Sequence, residues 1–234
     1  MSATATASSS QEIKKKRVMI GLPGQTFSNQ FLLSWTKFLV ELMREDSMNI
    51  NLFQGYSTFS TYTRMKTLGL EKQQVHVKAF DGIDYDVFVT IDPTIIFTYE
   101  QFKTLVSMTD QHPAVSAIYH TTDKTVNAVE KMDYKTNERT TAFRLLSIDE
   151  IKEKPFLKVD YTTLGFFACR RTVLQALDYP YFWYPLVDYT SEDGTPCREV
   201  LSDEIAFSRR LTDKGYQITL LTDLRVNQEK QVLM

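Results

Sequence analysis

From Tyr85 the chain reads YDVFVTID and then meets Pro93. A nearly unbroken apolar run between polar ends suits a central β-strand covered on both faces. Proline cannot donate to a sheet ladder, so Pro93 stops the strand and leaves Asp92 at its carboxyl end. The wider segment from Asp84 to Phe97 is therefore expected to be a buried β-strand that delivers Asp92 to its edge.

The flanking sequence alternates strand and helix signals. Arg17 to Leu22 is a short β-favouring run that ends at Pro23-Gly24. Thr26 and Ser28 are candidate caps for a helix whose apolar residues Phe31, Leu32, Trp35, Phe38, Leu39 and Leu42 recur at spacings of three and four. Met48 to Phe53 reads as a second strand, and Tyr56 to Leu70 as a helix. Thr98-Tyr99-Glu100-Gln101 has the pattern of a capping box, opening a helix with Phe102, Leu105 and Val106 on its buried side. Ala114 to Tyr119 is a third core strand. This order argues for a mostly parallel sheet with right-handed crossovers. Ligands in such sheets bind beyond the carboxyl ends of the strands, where Pro23, Asp92 and Tyr119 all lie.

The second half is less regular. Thr121 to Lys158 is polar and weakly periodic, compatible with antiparallel strands and exposed loops. Leu164 to Cys169 is apolar, and Arg170 to Leu177 reads as a helix. Tyr179 to Pro185 is an aromatic loop, equally suited to core packing and to stacking on a sugar. Asp188 to Cys197, with Gly194 and Pro196, reads as a mobile polar loop. A helix over 202–214 stops at Gly215, and Tyr216 to Val226 supplies the last strand or two.

Several classes recede on composition. Lys plus Arg number 27 against 29 Asp plus Glu, a net charge of -2, so the basic surplus of a phosphate-bound nucleic-acid partner is missing. Two cysteines, Cys169 and Cys197, form no CxxC pair and no disulfide framework, and a reducing cytoplasm is the default. Cys169, in an apolar run, reads as a small core residue. His76, His112 and His120 match no metal spacing, and only His120 could face the strand-end crevice. No apolar stretch is long enough to span a membrane. Residues 1–14 read as a disordered tail without the order of a secretory signal, and 15–234 as a single α/β domain.

Four segments, in order, resemble a group of small glycosyltransferase-like proteins of the GT-A fold that are frequent in viruses and phages. Val18 to Gly24 is similar to the opening strand and its nucleotide-facing loop. Tyr85 to Phe102 is similar to the apolar strand, Asp-x-Asp motif and following helix start. Gly165 to Arg171, followed by Tyr179-Pro180-Tyr181-Phe182, is similar to the acceptor-side strand, helix and loop. Ser202 to Phe207, with Gly215-Tyr216, is similar to a late acidic helix. The resemblance covers residues 17 to 230.

It implies a three-layer α/β/α fold with a mostly parallel central sheet, and transfer of a sugar from a UDP-sugar or other nucleotide-sugar to an acceptor hydroxyl on a glycan or other molecule. A divalent metal, Mn or Mg, would hold the diphosphate, because hard cations prefer carboxylate oxygen. On this pattern Pro23, Gly24, Arg64, Asp92 and Thr94 would bind the donor. Asp92 and Asn227 would hold the metal, and Asp203 or Glu204 would take the proton of the attacking hydroxyl. The chain departs from the pattern in three places. Thr94 stands where the second carboxylate belongs, Asn227 where a late histidine is frequent, and the helix acids run Asp203 then Glu204.

Each position also has a purely structural reading. Asp92 would cap the turn before Pro93, and Asp203 and Glu204 would form the negative first turn of a helix. Arg64 reads more readily as a solvated helix charge. The departures also leave open a degenerate GT-A domain that binds a nucleotide, a glycan or a partner without catalysis. A third reading is an enzyme glycosylating modified bases of viral DNA, against which the missing basic surplus counts.

Overall fold

The computed structural model describes residues 15–70, 78–121, 124–132, 144–184, 186–190 and 193–229. The expected tail over 1–14 and His76 lie outside these residues. In chain order the first half contains β1 (Lys16–Pro23), α1 (Asn29–Glu45), β2 (Met48–Gly55), α2 (Ser60–Lys66), β3 (Val87–Ile91), β4 (Ile95–Ile96), α3 (Tyr99–Met108) and β5 (Ala114–Ile118). There follow β6 (Ala128–Val129), α4 (Ile148–Ile151), β7 (Phe156–Val159), β8 (Tyr161–Thr162), β9 (Phe166–Arg170) and α5 (Arg171–Ala176). The chain then forms β10 (Leu186–Thr190), β11 (Pro196–Val200), α6 (Asp203–Asp213), β12 (Ile218–Arg225) and β13 (Asn227–Gln228).

Seven strands form one sheet in the order β2-β1-β3-β9-β5-β12-β7. β1 pairs in parallel with both β2 and β3, and β5 with β12, while β9 lies antiparallel between β3 and β5 and β7 antiparallel on the β12 edge. Five strands thus share one direction and two reverse it. The molecule is α/β with a mostly parallel central sheet.

The sheet is covered twice, and period-two alternation decides which residue serves which layer. Phe88 and Phe167 point into a core shared with Met65 of α2, Leu174 of α5 and Phe207 of α6. Their chain neighbours Val89 and Phe166 point into the opposite core, against Phe31 and Phe38 of α1 and Phe102 and Leu105 of α3. All five residues of β3 are buried, as the unbroken run requires.

Ser28 caps α1 by accepting from Phe31 N at 3.0 Å, and the capping box of α3 forms between Thr98 and Gln101. Three expectations need correction. The segment 84–97 is not one strand, because Asp92 to Thr94 turns the chain between β3 and β4. Leu32 and Leu39 do not join the buried side of α1; Ser34 takes an inward position instead, bonded to the backbone of Phe97. The stretch from Asp188 to Cys197 belongs to a β10–β11 hairpin rather than a mobile loop. Cross-strand pairing, with Asp188 and Arg198 opposite one another at 2.6 Å, gives this polar sequence a structure that composition does not reveal.

Candidate functional site

The carboxyl ends of β1, β3 and β5 open on one side of the sheet. Asp92 leaves β3 with its N–H donating to the Gly165 carbonyl at 2.8 Å, and its own carbonyl accepts from Ile95 N at 3.0 Å, closing the Pro93-Thr94 turn. Gly24 lies against this turn. With φ at +134°, it holds a conformation that residues with a Cβ rarely adopt, and an added Cβ would stand 3.1 Å from Pro93 Cγ. Ser28 N also donates to the Pro93 carbonyl at 3.2 Å. The loop after β1, with Pro23 and Gly24, is thereby seated beside Asp92.

Arg64 reaches the same place from α2. That helix sits against the end of β2 because Gly55 has no side chain: a Cβ there would come within 2.7 Å of the Thr63 carbonyl and 2.6 Å of Lys66 Cβ. Far from a solvated helix charge, the Arg64 side chain is only 11% exposed and faces three carboxylates. Its Nη2 donates to Glu204 Oε1 and lies 3.6 Å from Asp92 Oδ1, while its Nε lies 3.8 Å from Asp203 Oδ2. Burial opposes the guanidinium charge, but Glu204, Asp92 and Asp203 outweigh it and hold Arg64 above its ordinary pKa.

The acids of α6 are fixed by the helix start. Ser202 caps the helix by accepting from Ile205 N at 3.3 Å, which places Asp203 and Glu204 in its first turn. Glu204 is fully engaged: it accepts from Leu164 N at 3.1 Å and from the Tyr161 hydroxyl at 3.4 Å as well as from Arg64. Asp203 is not. Its Oδ1 accepts from Glu204 N at 3.1 Å, while its buried Oδ2 has no hydrogen-bond partner. Asp92 is more open, with a side chain 22% exposed. Desolvation first, then the nearby acids Glu204 and Asp203, against the pull of Arg64, pushes its pKa up to about 6.

Tyr119, expected at this strand end, and several residues that the sequence reading overlooked complete the wall. The Tyr119 ring lies over Gly165, where a Cβ would meet its hydroxyl oxygen at 2.3 Å, and that hydroxyl bonds Thr163 Oγ1. Buried Asn127 accepts from Tyr119 N at 3.1 Å and donates to Thr162 Oγ1 at 3.1 Å, tying the end of β5 to β8. Asn127 comes from the polar stretch over 121–158, compatible with antiparallel strands and exposed loops, and Tyr161 and Thr163 from the few residues between it and the apolar run at Leu164. No local pattern marks them, because their burial depends on a partner strand.

The other expected site residues make no hydrogen bond to the cluster among the described residues. Thr94 lies in the turn beside Asp92, with its carbonyl accepting from Glu229 N at 2.9 Å. Asn227 pairs with Ile96 across β13 and β4 and is exposed; no hydrogen bond joins it to Asp92 among the described residues. His120 is exposed and bridges to Val126. The aromatic loop divides its roles. Tyr181 and Phe182 are buried, Phe182 stacking on Phe207 at 4.9 Å, while Tyr179 and Trp183 are exposed.

Among the described residues, no group of three His, Cys, Asp or Glu side chains is arranged to hold a metal on its own. The cluster nevertheless has the chemistry of a cation site. One guanidinium against three carboxylates leaves two negative charges when all are ionised, and Asp203 Oδ2 is an unpartnered hard oxygen. One or two carboxylates suffice for a divalent ion whose remaining ligands are substrate phosphates and water.

No family model and no curated protein matches the sequence. Among solved structures, the crystal structure of A197 from STIV is similar, with a TM-score of 0.51 at 12% identity, over 94% of this chain and 96% of that one. The likeness is one of fold. Among the described residues no helix is long and apolar enough to cross a membrane.

Proposed function

We propose that the protein is a glycosyltransferase of the GT-A type, moving a sugar from a nucleotide-sugar, with UDP-sugars the first candidates, to an acceptor hydroxyl. One observation carries the reading. Asp92 at the end of β3, Arg64 of α2 and the two acids of α6 converge at the strand-end crevice from positions up to 140 residues apart. Ligands of open α/β sheets bind there, and the overall likeness to A197 from STIV is compatible with such a scaffold.

In the transfer, the bond between the anomeric carbon and the diphosphate oxygen breaks, and its electron pair leaves with the diphosphate. The acceptor oxygen bonds to that carbon and gives up its proton to a carboxylate. The two candidate bases differ in kind. Asp92, partly exposed and with its pKa raised to about 6, can both accept and release a proton near neutrality. Asp203 presents the unpartnered oxygen. Glu204, held by Arg64, Leu164 N and Tyr161, serves to position the others. Arg64 fixes all three acids, and the Gly24 loop beside Pro93 provides backbone groups for the donor. A divalent metal bound with the donor would be held by whichever of Asp92 and Asp203 does not take the proton, together with phosphate and water oxygens, and would offset the charge of the leaving diphosphate.

Thr94 in place of a second motif carboxylate, together with Arg64 neutralising the acids that remain, favours a second reading: a domain that binds the nucleotide without turning it over. Both are tested by one experiment, release of UDP from UDP-hexoses with manganese present, alongside calorimetry with UDP and manganese. Turnover lost in Asp92→Ala supports the transferase. Manganese-dependent UDP binding without turnover supports the binding module. Turnover unchanged in Asp92→Ala would overturn the assignment of the site.

A further inference from the structure

A second cavity, of about 650 Å³, opens near the opposite end of β3 from Asp92. Seven residues separate Tyr85, on its wall, from Asp92, roughly 20 Å along an extended chain. The cavity lies within the roughly 300–1,000 Å³ typical of small-molecule sites.

Its lining is chemically divided. Leu174 and Tyr181 form apolar wall beneath a rim that carries Lys78, Arg171 and Gln175. Lys78 is exposed and makes no ion pair among the described residues. Arg171 and Arg17 both pair with Asp84, whose carboxylate bridges the two guanidinium groups. Asp86 braces the same wall: it receives Arg17 N on its carboxylate at 2.9 Å and Arg171 N on its backbone carbonyl at 3.0 Å. The wall is therefore set in place without a ligand. Among the described lining residues, Lys78 and Arg171 against Asp84 leave one positive charge.

Tyr85 supplies an independent observation. The residue is 4% exposed, and its hydroxyl is buried with no hydrogen-bond partner. A buried hydroxyl left unpaired is costly, and native structures rarely keep one without a use. Tyr85 is one of the residues lining the cavity, so its unpaired hydroxyl is a donor at hand for a ligand oxygen.

We propose that this cavity binds a small organic anion: a flat apolar body against Leu174 and Tyr181, a carboxylate or phosphate toward Lys78 and Arg171, and an oxygen accepting from Tyr85. The site is separate from the carboxylate cluster and does not depend on the activity assigned there.

The test uses the full chain and the aromatic sulfonate 8-anilinonaphthalene-1-sulfonate as a fluorescent probe, with circular dichroism to verify that each variant is folded. Saturable binding to one site should weaken at least tenfold in Lys78→Glu, which reverses the rim charge, and in Gln175→Trp, which fills the mouth from an exposed position. Benzoate and phenyl phosphate should displace the probe, and the stronger competitor identifies the preferred head group. Binding unchanged in both variants would place the dye elsewhere, on the exposed leucines of α1, and overturn the proposal. Displacement by neither anion would overturn the ligand class.

Discussion

Replacing Arg64 with methionine keeps an unbranched stem in the α2 seat and removes the guanidinium that Asp92, Asp203 and Glu204 share. Breaking a buried ion pair by removing one partner costs about 3–5 kcal/mol, because the remaining charge is left uncompensated. Here Glu204 retains Leu164 N and the Tyr161 hydroxyl, and Asp203 retains Glu204 N, so part of the charge stays solvated by the protein. Asp92 keeps only the repulsion of its neighbours. The lower half of the range is therefore expected at pH 7.5, about 3 kcal/mol, a fall in Tm of about 6 °C or more for a chain of this length. The loss must also depend on pH. Without the pull of Arg64 the Asp92 carboxyl, already held above its unfolded value, rises further, so the variant is most stable when Asp92 is protonated and loses stability as pH climbs through that raised value. Urea denaturation followed by circular dichroism at pH 5 and pH 7.5 measures both effects. A cost under about 1 kcal/mol at pH 7.5, or equal costs at the two pH values, would refute the picture of one cation compensating buried acids.

The remaining expectations use the same measurements. Asp92 in the folded wild type is raised from 3.8 to about 6, so its neutral form is the one the fold prefers; that stability is fully present below about pH 4 and is lost as pH rises through about 6. Asp92→Asn should therefore be more stable than wild type at pH 7.5 and no more stable at pH 4, even as it removes the proposed base. Gly165→Ala places a Cβ 2.3 Å from the Tyr119 hydroxyl oxygen, and the overpacking should cost about 1–3 kcal/mol in urea unfolding. Tyr85→Phe removes the unpaired buried hydroxyl and should leave Tm unchanged or raise it by roughly 2–4 °C, the equivalent of about 1 kcal/mol; a clear fall in Tm would mean that the hydroxyl has a partner.

The elements legible in the sequence are those whose signal is local. The apolar run of β3 must be buried on both faces whatever surrounds it, and the stop at Pro93 needs only the missing N–H. Ser28, Thr98 and Gly215 act within a few residues of their own positions, so the ends of α1, α3 and α6 could be read directly. Asp92 stands out because it occupies a strand end, whereas Asp203 and Glu204 are singled out by the family resemblance, since a helix start by itself already offers a carboxylate a place.

Their meeting point was decided by tertiary structure. Arg64 carries nothing in its helix to distinguish it from a solvated cation; Gly55 draws α2 against the sheet, and three distant acids turn that position into a buried one. Likewise β9, an apolar run like its neighbours, enters antiparallel between β3 and β5 because hydrophobic pattern fixes burial and not direction. Sequence fixes which side chains must leave water. Long-range packing determines which of them then face one another, and the chemistry of Asp92 follows from that second choice.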